Sequence, residues 1–119
     1  MEKELYDYVA ERAGILAVAD TSKQETKEAA LAWKKAAEAG DDIDAATAKL
    51  LDFLEGRMLP IDDLIAFLEG PAAGLFGEET AAAMLTAQKQ RKEQGAKYCN
   101  CEAHAAAGEL LAKFGRIQL

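Results

Sequence analysis

The stretch GDDIDAATAKLLDFLEGRMLPIDDLIAFLEG, residues 40–70, decides the fold class. Ile43, Ala46, Leu50, Phe53 and Leu54 recur at three- and four-residue intervals, which is the repeat of one face of an α-helix. A strand would need alternation at every second position, and none is present. Asp41 or Asp42 supplies the side-chain oxygen that caps the free amides at the start, and the helix should end near Arg57. Pro60 cannot sit inside a helix, because it lacks an amide hydrogen and its ring clashes with the preceding turn, but it suits a first turn. LPIDDLIAFLEG therefore predicts a second, short helix with Ile61, Leu64, Ile65 and Leu68 facing inward.

The same reading extends in both directions. Leu5, Tyr8, Val9 and Leu16 mark a helix from about Glu2 to Ala19. Ser22 followed by Glu25 predicts a capping box, in which the hydroxyl and the carboxylate each satisfy one free amide. The helix that follows runs to about Ala39, with Ala30, Trp33 and Ala37 inward, and Gly40 fits the left-handed residue that closes it. GPAAGLFG, residues 70–77, reads as a break or one loose turn. A helix from about Glu78 to Gln94 is closed by Gly95. A last helix from about Glu102 to Phe114 carries Ala103, Ala107, Leu110, Leu111 and Phe114 on its apolar face.

Composition supports this pattern. The chain has 26 alanines against two valines and five isoleucines, a bias toward helix and away from sheet. The expected fold is all-α: a compact, single-domain helical bundle over residues 1–119, with about four long and two or three short helices. Its 119 residues fit one domain, and 50% hydrophobic content is enough for a core. A formal charge of -7 repels phosphate backbones and anionic lipid, so neither nucleic acid nor a membrane is expected as a partner. MEKELYDYVAERAG shows no basic region followed by an apolar run, and no stretch of about 18 apolar residues occurs. The expected location is the cytoplasm, where thiols stay reduced and cysteines serve as metal ligands or redox groups rather than staples.

KYCNCEAH, residues 97–104, holds both cysteines, Cys99 and Cys101, and the only histidine, His104. Positions three apart on a helix lie about 60° apart on one face. With Asn100 or Cys101 as the cap of the last helix, His104 stands one turn in, on the side of Cys101, and Cys99 folds back from the loop. Two sulfurs and an imidazole then converge on one point at the rim of the core. That donor set suits zinc, iron or copper and does not suit magnesium or calcium. The positive end of the helix dipole, with Lys97 nearby, favours an anionic sulfur. Tyr98 is placed to shield the cluster from water. Structural zinc sites pair two short clips, and only one is present. A fourth ligand must come from a carboxylate such as Glu102, a water, a small molecule or a second chain. The set therefore points to an open, exchangeable site or to one completed in a homodimer. Two other readings use the same residues. A Cys99–Cys101 disulfide would close a small, strained ring that is easily reduced, as in a thiol redox protein. Alternatively the cluster is incidental, and the chain is a helical module that docks a protein partner.

At this motif the chain resembles a family of small bacterial helical proteins of similar length. The shared segments are LPIDDLIAF (residues 59–67), the turn at Phe76 and Gly77, and KYCNCEAH followed by AAAGELLAKF, so the resemblance covers nearly the whole chain. It implies an all-helical fold and a C-terminal cysteine motif. The family's third cysteine is replaced here by His104; both are soft ligands, so the exchange fits metal binding better than a cysteine-only redox role. Some members carry a heat-shock or chaperone label, but an ATP-driven chaperone needs a Gly-rich phosphate cradle, and none is present. Separately, residues 74–95 resemble the second half of a peptidoglycan-binding repeat, a short match that is also ordinary turn chemistry.

No catalytic constellation stands out. The pairs Asp41/Asp42, Asp62/Asp63 and Glu78/Glu79 each stand at a predicted helix start, where negative charge is stabilised, so capping explains them. No Glu-x-x-His motif repeats on two helices as a di-iron bundle requires, and no nucleophile elbow accompanies His104. The chain reads as a binding protein rather than an enzyme: a small cytosolic protein holding zinc or iron at Cys99, Cys101 and His104.

Overall fold

A computed structural model describes residues 1–119 in full. The fold is all-α, with seven helices: α1 Lys3–Val18, α2 Gln24–Ala39, α3 Ile43–Glu55, α4 Ile61–Glu69, α5 Ala72–Phe76, α6 Glu78–Glu93 and α7 Glu102–Lys113. The only β-type pairing is an isolated antiparallel bridge between Pro60 and Tyr98. No helix is long and apolar enough to cross a membrane.

The helices group into two units, one formed by α1, α2, α3 and α7 and the other by α4, α5 and α6. The first unit is built on the apolar stripes read from the sequence. Val9, Ala13 and Leu16 of α1, Ala30 and Trp33 of α2, Leu50 and Leu54 of α3, and Ala107, Leu110 and Leu111 of α7 form one buried cluster. The buried positions Ala13, Ala30, Ala103 and Ala107 of this cluster carry small side chains. Leu16, Leu54, Leu110 and Leu111 are the largest fully buried side chains besides Val9. Each such leucine contributes roughly 1.5–3 kcal/mol by leaving water. Buried polar atoms are paired inside this core: the Trp33 indole N–H donates to Thr47 Oγ1 at 2.8 Å, and the Thr47 hydroxyl donates back to the Ile43 carbonyl at 2.7 Å. At its edge, Arg12 joins α1 to α7, donating from Nη2 to Glu109 at 2.8 Å and from Nε to the same oxygen at 3.1 Å.

Side chains cap the starts of α3 and α7 only. Asp42 Oδ1 accepts from the amides of Asp44 and Ala45, at 3.1 and 3.2 Å. Gly40 closes α2 with φ +72°, a left-handed conformation that costs glycine nothing. The predicted capping box at Ser22 and Glu25 does not form. α2 starts two residues beyond Ser22, with Lys23 as its cap and no side-chain cap bond. Ser22 is instead still in the preceding turn, where its amide donates to the Ala19 carbonyl at 3.0 Å. Its hydroxyl is buried and has no hydrogen-bond partner.

The second unit packs Leu64 and Leu68 of α4 against Ala72 and Ala81, with Leu59, Phe67, Leu85 and Cys99 around them. Asp62 and Asp63 lie in the first turn of α4, and Glu78 and Glu79 in the first turn of α6, where the dipole favours negative charge, but the side-chain caps expected of these pairs do not form: Pro60 and Gly77 are the cap residues. The loose turn expected within residues 70–77 is the short helix α5. Gly77, at φ +89° and ψ 153°, separates it from α6, in a region of backbone space that only glycine enters without strain.

Candidate metal centre

Two local structures position the hexapeptide from Cys99 to His104. Upstream, the chain is held by a two-bond antiparallel ladder: the Ile61 amide donates to the Lys97 carbonyl and the Cys99 amide donates to the Leu59 carbonyl, both at 2.9 Å. Arg91 of α6 reinforces it, donating from Nη2 to the Tyr98 carbonyl at 3.0 Å. Pro60 suits the middle of this bridge, because it has no amide hydrogen to leave unpaired. Downstream, Cys101 is the N-cap of α7. Its Sγ accepts from the His104 amide at 3.5 Å, and its carbonyl accepts from the Ala105 amide at 2.8 Å. The first-turn amide of Ala103 donates to Thr21 Oγ1 at 3.0 Å, from the loop between α1 and α2. The start of α7 is therefore fixed by two side chains, one of them a candidate ligand.

The imidazole is fixed from both sides. His104 Nε2 lies 3.1 Å from the Arg57 carbonyl oxygen. A carbonyl only accepts, so Nε2 carries a hydrogen, and Nδ1 is the nitrogen that faces the sulfurs. Nδ1 lies 3.1 Å from Cys101 Sγ. An imidazole whose second nitrogen donates to a carbonyl is the usual outer support of a metal-ligating histidine, since it holds the tautomer and the ring angle.

All three predicted residues are brought together. One ligand atom from each of Cys99, Cys101 and His104 lies within 4.8 Å of the others, and each residue is half-buried. Neither cysteine is in a disulfide. A tetrahedral zinc site, with bonds of about 2.3 Å to sulfur and about 2.05 Å to nitrogen, spaces its sulfurs about 3.8 Å apart and sulfur from nitrogen about 3.6 Å. Closing on an ion thus needs shifts of about an ångström, within reach of side-chain rotation. Glu102 is not in the group, and no other carboxylate joins it.

Sequence reading missed the two supporting groups. Thr21 Oγ1 and the Arg57 carbonyl come from loops 82 and 47 residues away from the groups they contact. A backbone carbonyl has no sequence signature, and a threonine beside a predicted cap reads as part of that cap.

Compared with protein-family models, with curated proteins and with solved structures, the chain finds no match.

Proposed function

We propose that this chain is a small metal-binding protein in which Cys99 Sγ, Cys101 Sγ and His104 Nδ1 together hold a zinc or iron ion. The observation that carries this reading is the convergence of the three soft donors, with His104 Nε2 held on the Arg57 carbonyl and Nδ1 turned to the sulfurs. Two thiolates and a neutral imidazole balance a divalent charge and match its softness. Magnesium and calcium, which take oxygen ligands, are poor fits to this set. The reduced thiols suit a reducing compartment such as the cytoplasm. Kinship with the small helical proteins that carry the Cys-x-Cys-x-x-Cys motif belongs to the same proposal, with His104 as the third ligand.

Elemental analysis of the purified chain, with and without Cys99→Ser, tests it. The expected result is close to one zinc or iron per chain, lost on substitution. A chain that carries no zinc or iron after incubation with either ion under reducing conditions overturns it.

A further inference from the structure

We propose, resting on that reading, that the bound ion keeps one coordination position for a small thiol supplied from solution. The chain's thiolate and imidazole donors are exhausted: it has two cysteines and one histidine, and all three are in the group. No carboxylate oxygen reaches the group, so Glu102 does not complete it. The second nitrogen of His104 is committed to the Arg57 carbonyl and cannot reach another ion. Zinc prefers four ligands, and a site with three protein donors leaves the fourth to solvent or substrate.

The environment selects the class of that fourth donor. Two thiolates already make the set soft, so a third sulfur matches it better than an oxygen ligand does. The added negative charge falls at the N-terminal end of α7, where the helix dipole is positive. Access is open, because the three ligand residues are half-buried and the intervening Asn100 and Glu102 are exposed. In the exchange the thiol gives its proton to solvent, a metal–sulfur bond forms, and the bond from the metal to water breaks. No oxidant or reductant is needed.

The test loads the full reduced chain with cobalt(II), whose sulfur-to-metal charge-transfer band counts thiolates, and titrates 2-mercaptoethanol. Cys101→Ser serves as the blank for cobalt bound elsewhere. The expected result is a saturable rise of about half in band intensity, from two cobalt–sulfur bonds to three, with the protein still monomeric by native mass spectrometry. A two-thiolate band that ignores added thiol overturns the proposal and leaves the metal site standing. A third thiolate band that grows with protein concentration, alongside a dimer mass, also overturns it, because the donor then comes from a second copy. Absence of any thiolate band overturns the metal reading itself.

Discussion

Cys101 carries two functions that one substitution separates. Its Sγ caps α7 through the His104 amide at 3.5 Å, a long contact to a weak acceptor, and it is also a ligand atom of the proposed centre. Serine is a stronger N-cap than cysteine, because its oxygen accepts a short hydrogen bond from the same amide. Cys101→Ser is therefore expected to leave the metal-free protein as stable as the parent or more stable, by up to about 1 kcal/mol. The metal-loaded comparison should go the other way. Free zinc at about a hundred times its dissociation constant stabilises the native state by about 2.7 kcal/mol. An unfolding entropy of about 2.1 cal/mol/K per residue over 119 residues is about 0.25 kcal/mol/K, so the parent melts about 11 °C higher with zinc. Cys101→Ser should lose nearly all of that shift, while its metal-free Tm is unchanged or raised by up to about 4 °C. Calorimetry of both proteins, with zinc and with a chelator, reads all four values. A variant that melts well below the parent without metal would refute the cap argument. One that keeps the full zinc shift would refute the ligand argument.

Four further outcomes are expected. Ser22→Ala removes a buried hydroxyl with no partner, so it should be neutral or stabilising by up to about 1 kcal/mol in urea unfolding; a loss of that size would restore the capping box. Thr47→Val takes away the acceptor of the buried Trp33 indole N–H and should cost roughly 1–3 kcal/mol in the same assay, with a change in tryptophan fluorescence. Leu110→Ala opens a cavity at a side chain that is 0% exposed and should cost about 2–5 kcal/mol by denaturant titration. His104→Cys exchanges one soft ligand for another and should retain stoichiometric metal with a stronger thiolate band in the cobalt form, whereas His104→Ala should weaken zinc binding more than tenfold by competition with a chromophoric chelator.

The helices were legible in the sequence because their periodicity is a local property. Ile61 to Leu68 buries all four residues its spacing assigns, while in α3 Leu50 and Leu54 are buried and Ile43, Ala46 and Phe53 only half-buried against the core; Asp42 caps where an aspartate before an apolar run should. The candidate ligands were legible for the same reason: a cap residue and the residue three positions on share a face of any helix. What stayed hidden depends on the tertiary fold. Ser22 and Glu25 satisfy the capping pattern, but α2 begins one residue too late to use it, and the neighbouring Thr21 hydroxyl is drawn to the amide of Ala103. The Arg57 carbonyl orients the His104 ring through a contact between chain segments 47 residues apart. Such a partner is chosen by packing, and no spacing rule reports it.

The most direct test of the account is X-ray absorption at the zinc edge of the zinc-loaded, reduced protein. The account predicts two protein sulfurs at about 2.3 Å and one imidazole nitrogen at about 2.0–2.1 Å, with one sulfur lost in Cys99→Ser. A shell of oxygen and nitrogen alone, or one unchanged by that substitution, would contradict it.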